Sequence, residues 1–240
     1  MPLISSKELF EFARQGHFAV GAFNADNMEM VQAIIQAAEE ERSPLILQVG
    51  RGTIPYTGLA MAASMVKTAA SETDVPVVLH QDHGQSFEQS VRCLREGFTS
   101  LMFDGSKLPY EENVAMTAKV AEMAHALGIP VEAELGRVLA SPCTPEVVEE
   151  AMTDPDQATE FVTRTKCDSL AVAVGSIHRL KSCDAELDVE RVRLISQKTG
   201  VPLVLHGGSG CKQDSVKAAI ENGVCKVNVA TYLRQGFTSQ

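Results

Sequence analysis

Positive charge is the scarce commodity in this chain. Its 21 lysines and arginines stand against 31 aspartates and glutamates, for a formal net charge of −10 over 240 residues. That balance excludes attraction to nucleic acid or to an anionic membrane surface as a working principle. An anionic small substrate would need a local pocket of cations or backbone amides that overrides the global field. Long apolar runs are missing too: no stretch approaches the ~18 residues of a membrane helix. The opening MPLISSKELFEF lacks the apolar core of a secretory leader. The six cysteines (Cys93, Cys143, Cys167, Cys183, Cys211, Cys225) form no CxxC pair. Reduced thiols in a cytoplasmic protein are therefore expected, rather than a disulfide framework.

What is present is an ordinary globular balance, 45% hydrophobic and 22% charged, enough to bury a sizeable core in one domain spanning 1–240. Eight short apolar runs punctuate it: HFAVGAFN near position 20, PLILQVG (44–50), PVVLHQD (76–82), SLMFDG (100–105), PVEAELG (130–136), SLAVAVGS (169–176), PLVLHGG (202–208) and CKVNVAT (225–231). Each is nearly continuous in apolar residues, as a strand covered on both faces should be. Prolines 76, 130 and 202 mark strand entries, where a missing N–H breaks no central ladder. Between the runs lie helical patterns. Asp26 to Glu41 carries Met28, Val31, Ile34, Ile35 and Ala38 at helical spacing, and Tyr110 to Leu127 and Asp154 to Thr165 read alike. Ser86 with Gln89, and Asp154 before Pro155, are helix-start signals.

Alternating βα units imply parallel strands joined by right-handed crossovers, and eight of them favour an α/β fold of the (β/α)8 TIM-barrel type. A doubly wound open sheet is the alternative. Ser5 to Gly16 would be an extra N-terminal helix plugging the barrel floor. After the eighth strand only Tyr232 to Gln240 follows, about two turns of helix. So short a piece covers the last strand poorly, which leaves either a further C-terminal segment or a second subunit to cover it.

In such a barrel the working residues sit at the carboxyl ends of strands. Four of the six histidines, His80, His83, His178 and His206, fall at or just beyond such ends. Three neutral imidazoles converging from strands three, six and seven (His83, His178, His206) suit Zn²⁺ or a similar first-row ion with an open position. The plainer reading makes each a hydrogen-bonded loop residue. His80, inside the third run, and His125, at a helix end, read as structural. Asp82 precedes His83, and neighbours on a strand point in opposed directions, so the two should not both ligate. A carboxylate beside the metal is placed for proton transfer; its alternative role is to orient an imidazole. Asp104 and Glu134 fit that orienting role, or a second metal; Glu132 stays unassigned. The run His206-Gly207-Gly208-Ser209-Gly210, followed by a helix near Lys212, reads as a phosphate cradle of amides closed by Asn228 and Thr231. By itself it could be only a turn.

Taken in order, these pieces resemble the class II, zinc-dependent ketose-bisphosphate aldolases that act on fructose or tagatose bisphosphate. The matching segments are AFNADNMEMVQA (22–33), VLHQDHG (78–84), GFTSLMFDGSKLPYEEN (97–113), VEAELG (131–136), TDPDQATEFV (153–162), DSLAVAVGSIH (168–178), PLVLHGGSG (202–210) and KVNVAT (226–231), spread over nearly the whole chain. The resemblance implies a lyase of carbohydrate metabolism that cleaves a phosphorylated ketose to dihydroxyacetone phosphate and an aldehyde, without a lysine Schiff base. It makes His83, His178 and His206 the ligands of one Zn²⁺ per subunit and leaves room for a monovalent cation. It makes Asp82 the acid/base. Asn24 would face the substrate, and Gly207, Gly208, Ser209, Asn228, Val229, Ala230 and Thr231 would hold the phosphorylated half. A homodimer or homotetramer is the implied assembly.

The chain departs from the family pattern at three places. Arg179 stands where the family has glycine after its histidine, and would meet the substrate. The stretch Leu-Ala-Ser-Pro-Cys (139–143) replaces a loop bearing the glutamate that moves the carbon-bound proton, leaving Glu146, Glu149 or Glu150 as substitutes. Gly50 replaces a serine. The competing expectations are a barrel that binds metal and phosphate without turnover, such as a partner of a true aldolase, and a lyase in which Arg179 reads a different anion.

Overall fold

A computed structural model of the chain describes residues 3–140, 144–178 and 184–239. Eight strands run in sequence order around a closed barrel: β1 (Val20–Asn24), β2 (Leu45–Val49), β3 (Val77–Gly84), β4 (Ser100–Phe103), β5 (Val131–Leu135), β6 (Ser169–Val172), β7 (Leu203–Leu205) and β8 (Val224–Val229). All neighbours are parallel, and β1 closes onto β8 through Val20–Phe23 against Lys226–Val229. That closure excludes the open sheet and establishes the (β/α)8 barrel.

The three stretches with helical spacing are helices, among those of eight residues or more around the barrel. The helices of that length are α1 (Ser6–Gly16), α2 (Met28–Glu40), α3 (Leu59–Ser71), α4 (Phe87–Arg95), α5 (Tyr110–His125), α6 (Pro155–Thr165), α7 (Val189–Thr199), α8 (Gln213–Glu221) and α9 (Thr231–Thr238). Short polar side chains start them by taking orphan amides. Asn27 accepts from Met30 N at 2.9 Å, Ser86 from Gln89 N at 3.1 Å, and Asp154 from Asp156 N and Gln157 N at 2.9 and 2.8 Å. Helix α2 then buries Met30, Val31, Ile34, Ile35 and Ala38 against the outside of the barrel. Both faces of β2, β4, β5, β6 and β7 are thereby covered, which is why their sequences do not alternate.

The floor is plugged as expected. Leu9, Phe10 and Ala13 of α1 pack onto Val20, Ala22, Ile46, Val78 and Cys225. Ala22, Ile46 and Val78 share one level of the barrel, because β1, β2 and β3 pair in that register. One feature was not anticipated: Leu139–Ala140 pairs with Ile177–His178 in a small parallel ladder outside the barrel sheet. Strand six is accordingly shorter than its apolar run. Helix α9 is eight residues long. Beside it an apolar groove of about 880 Å³, lined by Met30, Ile34, Leu233 and Phe237 among others, follows the outside of α2. Cys93, Cys167, Cys211 and Cys225 are buried; Cys143 and Cys183 lie outside the described residues. No described helix is long and apolar enough to cross a membrane.

Candidate active site

Along β1, β2 and β3 the inward side chain changes with every second residue, from Ala22, Ile46 and Val78 at the floor to Asn24, Gln48 and His80 above. The strand ends open into a cavity of about 550 Å³ lined by Asn24, Asp82, His83, Asp104, Glu134, His178, Ser209 and Asn228, together with loop residues. The larger apolar groove beside α9 contains none of these groups.

His83 enters this cavity through a local irregularity. Its φ is 52°, a left-handed conformation rare for a residue with a side chain, and the β3–β4 register shifts between Gln81 and Gly84. Strict alternation had set Asp82 and His83 on opposite sides. The bulge instead brings His83 Nε2 to 3.9 Å from Asp82 Oδ1. Gly84 is required next to it, since a Cβ there would lie 2.1 Å from Gln81 Nε2 and 2.6 Å from the Met102 carbonyl oxygen.

The three histidines converge. Ring centroids are 4.6 Å apart for His83 and His206, 5.3 Å for His83 and His178, and 5.8 Å for His178 and His206. One ring nitrogen from each can be chosen so that all three lie within 4.8 Å of one another. Carboxylates decide which nitrogens face inward. His83 Nδ1 donates to Asp104 Oδ2 at 2.8 Å, and Asp104 is itself held by Ser106 through N at 3.1 Å and Oγ at 2.7 Å. His206 Nε2 donates to Glu132 Oε1 at 3.1 Å. That leaves His83 Nε2 and His206 Nδ1 facing each other at 3.0 Å. Ligands of a tetrahedral ion with bonds of about 2.0–2.1 Å sit roughly 3.3 Å apart, so this donor set fits a divalent metal. The carboxylate behind each of these two rings is the usual support of a metal-binding histidine.

The local field follows from these contacts. Burial alone would push His83 down, but Asp82, Asp104 and Glu134 outweigh it and raise its pKa to about 9. His206 lies fully buried and is held well below its ordinary value by that burial and by His83. Burial would raise Asp82, yet the His83 and Lys226 cations and the hydrogen bond from Asn24 bring it below the usual carboxylate range. Asn24 Nδ2 and Asn228 Nδ2 each donate to it at 3.4 Å. Burial and the Asp104 charge push Glu134 up to about 8. His83, Asp104 and Glu134 form a second group of possible ligand atoms, sharing His83 with the first.

Glu132 is the residue the sequence reading left out. Two positions from Glu134 on a regular strand, it faces the same way, into the barrel, and it contacts His206 directly. The residues expected to hold phosphate divide between two surroundings. Gly207, Ser209, Asn228, Ala230 and Thr231 line the cavity, whereas Gly208 and Val229 do not. Gly207 has a φ of 71°, and a Cβ there would meet the Ile177 carbonyl oxygen at 2.9 Å. Gly208 backs onto β8, where a Cβ would lie 2.5 Å from Val227 Cγ1. Arg179 lies outside the described residues. The cations that the net charge demanded are Arg51, Lys107, Arg137 and Arg234, all at the mouth. They sit in loops or at a helix start, without a motif to betray them. Of the three substitute glutamates, none lines this cavity. Glu149 accepts from Arg191 Nη2 at 2.5 Å, Glu150 borders a separate cavity, and Glu146 is exposed.

Fold and mouth together define a barrel enzyme whose polar groups gather at the carboxyl ends of its strands. The profile of the family described as "Fructose-bisphosphate aldolase class-II" matches residues 4–240, and the chain belongs to that family of lyases. The fructose-bisphosphate aldolase of Geobacillus stearothermophilus is 44% identical over 243 residues, covering 99% of this chain and 84% of the relative. That of Staphylococcus epidermidis is 41% identical over 236 residues, covering 96% and 82%. The crystal structure of the YdjI aldolase from Escherichia coli K12 superposes with a TM-score of 0.88 at 40% identity, covering 99% of this chain and 85% of that one.

Proposed function

We propose that this aldolase is metal-dependent and reversibly cleaves a phosphorylated ketose of the fructose or tagatose 1,6-bisphosphate type to dihydroxyacetone phosphate and an aldehyde. The observation that carries this reading is the pair of ligand nitrogens, His83 Nε2 and His206 Nδ1, 3.0 Å apart with a carboxylate behind each ring. His178 completes the set. Zn²⁺ suits three imidazoles, and when bound it supplies Lewis-acid polarisation of the ketose carbonyl.

The chain's own residues do the rest. Asp82, kept ionised, takes the proton from the hydroxyl at the carbon–carbon bond being broken and returns it in the reverse direction. Asn24 and Asn228 fix its two oxygens. The amides around Gly207 and Ser209, with Ala230 and Thr231, receive the phosphate, and the cations at the mouth offset the global negative field. We place all of this in one barrel domain of a cytoplasmic homodimer or homotetramer.

The test is turnover of fructose and tagatose 1,6-bisphosphate, followed by coupled detection of triose phosphate. Activity abolished by a chelator and restored by Zn²⁺ supports the reading; chelator-insensitive cleavage refutes it. A barrel that binds substrate without turnover is favoured by one observation, that Glu146, Glu149 and Glu150 do not line the cavity. Tight binding of the bisphosphate with no triose product would establish that alternative.

A further inference from the structure

Below the mouth lies a charged layer that the proposed chemistry does not use. Lys226 of β8 and Glu132 of β5 are 0% and 2% exposed, in the middle of the barrel. Lys226 Nζ donates to Glu132 Oε2 at 2.8 Å and to His80 Nε2 at 3.1 Å. His80 Nδ1 lies 2.8 Å from Ser100 Oγ, and Ser100 Oγ lies 2.8 Å from Ser6 Oγ on α1. Replacing such a buried ion pair by well-packed apolar residues is often neutral or stabilising. Stability alone is therefore a weak reason for this layer.

Its donor and acceptor inventory gives a better reason. An ammonium only donates, so His80 Nε2 must be bare and the His80 proton must sit on Nδ1, pointing at Ser100. Ser100 then has its own hydrogen to give to Ser6. At the other end, an ionised carboxylate only accepts, so His206 must carry its proton on Nε2, pointing at Glu132. Nδ1 is then bare and turned to the mouth. Asn228 makes no such choice, because its Nδ2 lies 3.4 Å from Nδ1 and 3.3 Å from Nε2, and His83 Nε2 contacts only Nδ1, at 3.0 Å.

We propose that Glu132 and Lys226 are positioning residues: Lys226 holds the Glu132 carboxylate aimed at His206, and Glu132 locks His206 in the one tautomer and ring orientation that presents Nδ1 as a ligand. The inference rests on the reading of His206 as a metal ligand, and its test separates the two. Histidine nitrogen–proton correlation spectra report the tautomer of His206 in the zinc-free full chain, where no metal is needed. Competition with a chromophoric chelator reports zinc affinity, and circular dichroism reports folding.

Wild-type protein should show His206 protonated on Nε2 both with and without zinc. Glu132→Gln and Lys226→Met should mix the tautomers and weaken zinc binding about 10–100-fold, the usual loss when the support of a metal-binding histidine is removed. Should either single variant unfold through its stranded charge, the double variant Glu132→Gln/Lys226→Met removes both charges and carries the same expectation. An unchanged tautomer and unchanged zinc affinity in the folded double variant would overturn the proposal. Wild-type protein that shows the Nε2–H tautomer but binds no zinc would refute the metal reading, while the tautomer shift in the variants would still decide the positioning role.

Discussion

At the floor of the barrel the inward side chains are Ala22, Ile46 and Val78, sealed by Leu9 and Phe10 of α1. One step of two residues along the same strands they are Asn24, Gln48 and His80. The floor is apolar, the cluster of Lys226, Glu132 and His80 above it is charged and paired, and the mouth is polar with open valences. Glu134 Oε2 and Asn228 Oδ1 are buried there without a hydrogen-bond partner among the described residues. Buried polar groups are ordinarily satisfied, so a cluster that is not marks a place kept for something else to bind. The contrast teaches how one parallel barrel separates stability from chemistry: by depth along the strand rather than by separate segments of chain.

Breaking the mouth should therefore cost activity without unfolding the floor. The largest effect is expected from His206→Ala or His178→Ala. Zinc titration should find the affinity strongly weakened and turnover at background, with the circular dichroism spectrum retained. Next comes Asp82→Asn, which should retain zinc and lower kcat by ~10²–10⁴, the usual worth of a positioned acid/base. Full turnover in that variant would remove Asp82 from the mechanism.

Asp104→Asn sharpens the comparison between the mouth and the layer below it. It should weaken zinc binding by less than Glu132→Gln does, within the ~10–100-fold range for such supports. His83 is partly exposed, so water can replace the lost carboxylate, whereas His206 is wholly buried. An equal or larger loss at Asp104 would contradict the distinction.

The zinc-free protein should lose stability between pH 7 and pH 9. His83, raised from 6.5 to about 9, stabilises the fold fully below 6.5, and the contribution disappears as pH rises through about 9. Glu134, raised to about 8, is protonated in the fold and works in the same direction as it ionises. His80 and His206, held low by burial, contribute little slope there, because they are largely neutral folded or unfolded. Zinc affinity should rise over the same range as the His83 proton becomes easier to displace. Melting of chelator-treated protein at higher temperature at pH 9 than at pH 7 would contradict these assignments. The smallest effect is expected from Gly208→Ala, whose methyl group would press Val227 and raise KM for the phosphorylated substrate with kcat nearly unchanged.

Much of this was legible in the sequence, because eight apolar runs with chemistry at their ends have one simple closed arrangement. His83, His178, His206 and Asp82, singled out by their place at strand ends, come together in the structure. Three things were hidden, each for a physical reason. The left-handed backbone at His83 has no glycine to signal it, so alternation misplaced the ring relative to Asp82. Lys226 reads as an ordinary polar residue in a strand, since its partner Glu132 is 94 positions away. The small ladder Leu139–Ala140 with Ile177–His178 is held by two residues on each side, below the length at which a pattern can form.

The most direct measurement is zinc-edge X-ray absorption on the purified, zinc-loaded protein, repeated on His178→Ala. Three imidazole nitrogens at about 2.0–2.1 Å in the wild type, and fewer in the variant, are expected. One imidazole or none around the ion, or a spectrum that His178→Ala leaves unchanged, would contradict the convergence of these rings on a single metal.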